Sequence, residues 1–147
     1  MSIFSVLEIS GSALAAERQR AEVVAANMAN AETTHTPSGG PYRRKEVVFA
    51  SSGNSSFRLA LAGFHSGLNN AIPAVRVQRV VDDSTPPLKR YEPGHPDADK
   101  EGYVSYPAIN PVQEMVDLMG AVRSYQLNAS AITASKQMIQ QSMDLLK

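Results

Sequence analysis

A chain of 147 residues holds about one domain of sequence. Its 14 basic and 14 acidic side chains cancel, which removes the electrostatic case for binding nucleic acid or an anionic membrane. Cysteine is absent, and with it disulfides, thiolate chemistry and Cys-ligated zinc; tryptophan is absent too, a composition that suits slender helices better than a large core.

Residues Ile3 to Asn30 read as a helix. Phe4, Leu7, Gly11, Leu14, Ala21, Ala25 and Met28 recur in steps of three and four, with Arg18 the polar member of the stripe. Ile3, Val6, Ile9, Ala13, Ala16 and Val24 widen the apolar face. Ala13-Leu14-Ala15 resembles a signal-peptidase site. However, no Lys or Arg precedes the apolar run, Glu8 interrupts it, and the stripe continues to Met28, so a cleaved signal is not expected. No run reaches the ~20 apolar residues of a membrane span.

From Ala31 the character changes. Thr33, Thr34, Thr36, Pro37, Ser38, Gly39, Gly40 and Pro41 end the helix and make a loop. Tyr42 to Phe49 reads as a strand, and Phe57 to Phe64 as a second, with Ser51 to Ser56 as the turn between them. Val75 to Val81 is a third strand, and Pro86-Pro87 breaks the chain after it. Leu88 to Glu92 and Tyr103 to Tyr106 are spaced to pair as a hairpin around Pro93 to Gly102. Short strands over ~70–80 residues make a marginal core on their own, so this region is expected to lean on neighbours.

Pro111 to Lys147 reads as one long helix that carries only Glu114, Asp117, Arg123, Lys136, Asp144 and Lys147 as charges. Met115, Leu118, Val122, Tyr125, Ala129, Ile132, Ile139, Met143 and Leu146 form a heptad stripe interrupted at Lys136. The remaining positions are mostly Ser, Thr, Asn, Gln and Ala, which can be buried once hydrogen-bonded, whereas Lys and Glu rarely are. Such a helix is built to be surrounded by protein. At ~1.5 Å per residue the two helices would span ~40 and ~55 Å, and their matching stripes predict packing of one end of the chain against the other.

Chemistry-bearing constellations are few. Asp97, Asp99, Glu101 and Gly102 satisfy the first positions of a calcium loop, but the twelfth is Ala108, so the bidentate ligand is missing and a solvated hairpin tip is expected. His35, His65 and His95 lie in separate segments, and no nucleophile elbow, phosphate loop or dinucleotide fingerprint occurs. Arg43-Arg44-Lys45 is a short basic cluster that could touch an acidic partner, but at three residues it is read as a solvated strand edge. Asn27 and Asn30, three apart, have two readings of equal standing: amides that terminate the helix, or a buried amide that sets packing register. No catalytic residue, metal, cofactor or small-molecule substrate is expected.

Ala25-Ala26-Asn27-Met28-Ala29-Asn30-Ala31 after an amphipathic helix, with Thr33, Thr34, Thr36 and Pro37 following, resembles the N-terminal signature of bacterial flagellar rod and hook proteins. Asn110-Pro111-Val112-Gln113-Glu114-Met115-Val116 and Arg123-Ser124-Tyr125-Gln126-Leu127-Asn128 are similar to the C-terminal helix of that family. Tyr91 to Asp99, Gly102-Tyr103-Val104, and Gly40-Pro41-Tyr42-Arg43 leading into Val47-Val48-Phe49 resemble a proximal-rod member; residues Ser51 to Pro73 match nothing recognisable.

The resemblance implies a structural subunit of the proximal rod of the flagellar basal body, the shaft that crosses the periplasm. It implies export by the flagellar type III apparatus without a cleaved signal peptide, and terminal helices that form the inner tube. The implied neighbours are further copies of the subunit, the rod proteins FlgB and FlgF, and FliE. The expected fold is mainly α with a small antiparallel β insertion: residues 1–32 and 108–147 as the two helices of a coiled coil, and 33–107 as the β-rich insert. Leu7, Leu14, Asn27, Asn30, Met115, Leu118, Val122, Tyr125, Ile132, Ile139 and Met143 are the expected assembly-interface residues. The competing reading is a soluble coiled-coil adaptor that binds a client helix.

Overall fold

The computed structural model describes residues 3–51 and 74–145. In chain order these form α1 (Ile3–Ala29), β1 (Lys45–Ser51), β2 (Val75–Asp82), β3 (Leu88–Tyr91), β4 (Tyr103–Tyr106) and α2 (Pro111–Asp144). The strand expected over Phe57 to Phe64, most of the turn before it, and Leu146 lie outside the described residues.

Helix α2 starts where its sequence says it should. Asn110 is the N-cap, its side-chain oxygen accepting from the Val112 N–H at 3.0 Å, and Pro111 occupies the first turn, where its missing N–H costs nothing. The helix then runs for 34 residues. Several of its polar side chains find partners on the helix itself. Ser130 donates to the carbonyl of Gln126, Thr133 to Ala129 and Ser142 to Met138, while the Asn128 amide donates to Ser124. Polar side chains that fold back on their own helix in this way can face a dry neighbour without an unpaired group.

The two helices lie side by side and form the most extensive contact in the described fold. The last turn of α1 meets the first turn of α2. The fully buried positions are Ser10, Ala16, Val24 and Asn27 on α1, and Glu114, Ala121 and Ser135 on α2. Glu114, Ala121 and Ser135 stand at multiples of seven from one another, as do Ser10 and Val24, so each set marks one narrow face. This face is small and polar. On α2 the expected stripe is displaced from it by one residue, a rotation of about 100°; on α1 Ala16 and Val24 of the widened face lie in it, while Leu7 and Leu14 sit beside it.

The strands form two separate two-stranded antiparallel sheets. β1 pairs with β2, from Lys45 opposite Asp82 to Ser51 opposite Val75, with the register slipping after Val48. Gln78 is the extra residue: Val48 faces Arg79 and Phe49 faces Val77. This sheet leans on α1, and the Val75 N–H donates to the Ser12 hydroxyl, which itself donates to the Ile9 carbonyl. β1 starts three residues later than the sequence suggests, because Tyr42 to Arg44 are drawn toward the helix pair instead.

The β3–β4 hairpin forms as expected, pairing Leu88 with Tyr106 and Tyr91 with Tyr103. Gly102 has a φ of +83°, and a Cβ there would meet Cε2 of Tyr91 at 2.9 Å, so the turn demands glycine. Val104 of β4 is fully buried, and the 31–42 loop reaches the hairpin through a 2.7 Å hydrogen bond from the Thr34 hydroxyl to Asp97. Among the described residues no helix is long and apolar enough to cross a membrane.

Candidate functional site

The most ordered polar site is a clasp between the end of α1, the start of α2 and the start of β1. Asn27 is 0% exposed and Glu114 is 1% exposed. The Asn27 amide nitrogen donates to the Lys45 carbonyl and to Oε2 of Glu114, both at 2.9 Å. Its oxygen accepts the Lys45 N–H at 2.9 Å and the Tyr42 hydroxyl at 3.2 Å. All four hydrogen-bonding sites of the amide are therefore used. By pairing both backbone groups of Lys45, Asn27 acts as one more residue of the sheet edge and fixes where β1 begins.

Glu114 completes the clasp. Its Oε1 accepts from Nε of Arg44 at 2.6 Å. Arg44 also pairs with Glu46 and reaches Asp117 at 3.5 Å, and Asp117 reaches Arg20 of α1 at 3.6 Å. Burial on its own lowers the Arg44 pKa; the hydrogen bond and charge of Glu114, followed by those of Glu46, outweigh it and hold the guanidinium above its ordinary value. Arg44 is thus a structural cation, not the solvated strand edge expected of Arg43-Arg44-Lys45. Arg20 stands 3.8 Å from Glu17, an ion pair too long for a hydrogen bond, and Oε2 of Glu17 is buried without a hydrogen-bond partner.

The two asparagines separate cleanly. Asn27 is a buried amide that ties α1 to Glu114 of α2 and to Lys45 of β1. Asn30 caps: its amide nitrogen donates to the Ala26 carbonyl at 2.8 Å and its oxygen accepts the Thr33 hydroxyl at 3.2 Å. The partners of Asn27 are Glu114, Tyr42 and the Lys45 backbone.

Burial raises the Tyr42 pKa first, and the charges of Asp82 and Glu114 add to it. A raised pKa for an acid means that the folded chain favours the neutral phenol. The stabilisation is present below the ordinary phenol value near pH 10 and is lost as pH rises through the Tyr42 value. Tyr106, whose hydroxyl donates to the Glu92 carboxylate, is raised as well, so alkaline titration should show two late-ionising phenols, with helix signal falling as Tyr42 ionises. Tyr42→Phe should remove one of the two late phenolate steps from the absorbance titration.

The remaining expected interface residues form no cluster with the clasp. Leu7, Leu14, Leu118, Ile132 and Ile139 are half-buried beside the helix seam, while Met115, Val122, Tyr125 and Met143 are exposed. Val112, Val116 and Met119 join Met115 and Val122 to make a continuous apolar strip on the first three turns of α2. By helical phase Val112, Val116 and Met119 lie opposite the buried Glu114 and Ala121, with Met115 and Val122 about 100° round from them. Val112 and Val116 escape a search for strict heptads, although a count of apolar residues over the whole first half of the helix would include them.

The acidic hairpin tip is a turn. Oδ1 of Asp99 accepts the N–H groups of Glu101 and Tyr103 at 2.9 Å, and Asp97 accepts from Thr34. Among the described residues no group of three His, Asp or Glu is placed to hold a metal. Calorimetric titration of calcium into the subunit should give no saturable heat at micromolar ion; a one-site isotherm abolished by Asp97→Asn would refute this.

Residues 7–34 match the family described as flagella basal body rod protein, and residues 100–145 match the one described as flagellar basal body rod FlgEFG protein C-terminal. These matches define the class, a structural rod protein and not an enzyme. Over its whole length the chain is 40% identical to the flagellar basal-body rod protein FlgC of Bacillus subtilis, across 151 residues and 100% of both chains. It is 38% identical to that of Borreliella burgdorferi across 152 residues, covering 100% of this chain and 99% of the relative. It is 39% identical to that of Escherichia coli O157:H7 across 145 residues, covering 99% and 98%. The chain belongs to the FlgC family of flagellar basal-body rod proteins. The adaptor reading falls with that membership.

Proposed function

We propose that this subunit builds the proximal part of the flagellar rod by burying the outer faces of its helix pair against neighbouring subunits. The observation that carries the reading is the strip Val112, Met115, Val116, Met119 and Val122, left outside on a helix whose opposite face is already filled. In a lone soluble protein such a strip is a liability; in a polymer it is an interface core. Residues 1–32 and 108–147 act as the two strands of a coiled coil, supported by the seven-residue spacing of their buried positions, and 33–107 as the inserted β region.

Further copies of the subunit, FlgB, FlgF and FliE are the neighbours this role requires. Delivery by the flagellar type III apparatus without a cleaved signal peptide fits an apolar first helix that is needed in the final fold.

The absence of cysteine makes the test direct. A single cysteine replacing Met119 should react with a maleimide in the free subunit and be protected in purified basal bodies. A cysteine replacing Lys100, at the exposed hairpin tip, supplies the comparison. Equal labelling of the Met119 position in free subunit and basal bodies would remove the helix face from the interface.

A further inference from the structure

The chain has neither cysteine nor tryptophan, so methionine is its principal site for oxygen-transfer oxidants. Methionine is not scattered evenly. Met115 is 51% exposed and Met119 66%, and Met138 and Met143 are exposed further along the same helix. Met28 of α1 is half-buried. Met115 and Met119 stand four apart and are flanked on the outward side by Val112, Val116 and Val122. Gly120 adjoins Met119 with no side chain of its own, and Arg123, exposed four residues on from Met119, is the nearest charged group on this face.

From this placement we infer that Met115 and Met119 are oxidation sites which gate polymerisation, so that only the reduced subunit joins the rod. The inference rests on the reading of the α2 strip as an assembly face. The reaction is a two-electron transfer with a peroxide. The thioether sulfur attacks one peroxide oxygen, the O–O bond breaks, a sulfoxide S–O bond forms, and the other oxygen leaves as water after taking up a proton. Sulfur is oxidised and peroxide reduced.

The product replaces a flexible apolar side chain by a polar one with a strong acceptor oxygen. Within the strip their neighbours are valines, so the Met115 oxygen has no donor there, and the nearest one to Met119 is Arg123, four residues on. Burying them unpaired disfavours association. An assembled rod would shield the same sulfurs, so the sensitivity belongs to the subunit before it is incorporated. Thioredoxin-linked sulfoxide reductases reverse the step, which makes the gate recoverable.

The test treats the purified full-length subunit with hydrogen peroxide and maps sulfoxides by peptide mass spectrometry. Association of the same samples is then followed by sedimentation. Met115 and Met119 should oxidise well ahead of Met28, and assembled protein should fall about tenfold or more, the effect expected when an interface loses affinity on that scale. A Met115→Leu/Met119→Leu subunit should assemble normally and keep assembling after peroxide, and sulfoxide reductase should restore the oxidised wild type.

Slow oxidation at Met115 and Met119 would overturn the inference, as would equal peroxide sensitivity of the double-leucine subunit. A fully oxidised subunit that still assembles would also overturn it. Val116→Asp then separates the two readings: if that charge blocks assembly, the interface stands and only the gate is lost, whereas if it does not, the interface itself is wrong.

Discussion

Replacing Glu114 by Ala is expected to destabilise the free subunit by about 2–4 kcal/mol, somewhat below the usual cost of breaking a buried ion pair. The discount comes from what remains: Arg44 keeps Glu46 and Asp117, which are more exposed partners. What it loses is the 2.6 Å hydrogen bond at Nε, and Asn27 loses one of its two acceptors. Glu114→Gln sharpens the test because its shape is nearly unchanged. The glutamine oxygen can still accept from Arg44, but its NH2 then faces the NH2 of Asn27. Flipping Asn27 gives no relief, since its oxygen would meet the Lys45 carbonyl and its nitrogen the Lys45 N–H. The orientation of Asn27 is locked by the backbone, so glutamine must leave a buried donor unpaired, at about 1–3 kcal/mol. Denaturant unfolding followed by helix signal measures both. Wild-type midpoints for both variants would show that the clasp holds nothing together.

The clasp also marks where reading the sequence runs out. The periodicity of three and four located α1 to within one residue of its observed bounds, and α2 from its first residue to within three of its last. The Pro93 to Gly102 segment was legible as a hairpin tip because a left-handed turn needs Gly102. What periodicity did not carry was phase. It marked Leu7, Leu14, Met115 and Val122 as stripes to be buried, but a hydrophobic stripe does not say by which chain it is covered. Within the subunit the seam went to Ser10, Ala16, Ala121 and Ser135, small enough for close helix approach, and the larger residues were left beside it or outside.

The pairing of Arg44 with Glu114 spans 70 positions and follows no period. Two signals could have suggested it: a lone glutamate opening a charge-poor helix, and a basic cluster with no acidic neighbour before Glu46. The partner of β1 was hidden for a similar reason. The pairing of β1 with Val75–Asp82 begins at Lys45, where Asn27 grips the strand, which is a tertiary fact.

Val116→Asp is expected to leave the subunit folded and to stop it assembling. Val116 is 63% exposed in the free chain, so the aspartate stays hydrated there and the stability change should fall within about 0.5 kcal/mol, the usual range for surface substitutions. In the proposed interface the same carboxylate enters an apolar strip with no cation among Val112, Met115, Met119 and Val122. An unpaired buried charge costs several kcal/mol, and the repetition of subunits along a rod multiplies the defect. Ile132→Asp should behave differently. Ile132 is half-buried beside the helix seam, so the charge should weaken the helix pair before any neighbour arrives, lowering both folding stability and assembly. The pair of mutants therefore separates two ways of losing rods. Unfolding midpoints of the purified subunits, read beside basal-body yield in cells making equal amounts of each, decide between them. A Val116→Asp subunit with a lowered midpoint would mean that the strip is needed within the chain itself. Normal rods from that subunit would mean that the strip faces solvent in the finished shaft, and another surface must then carry the assembly.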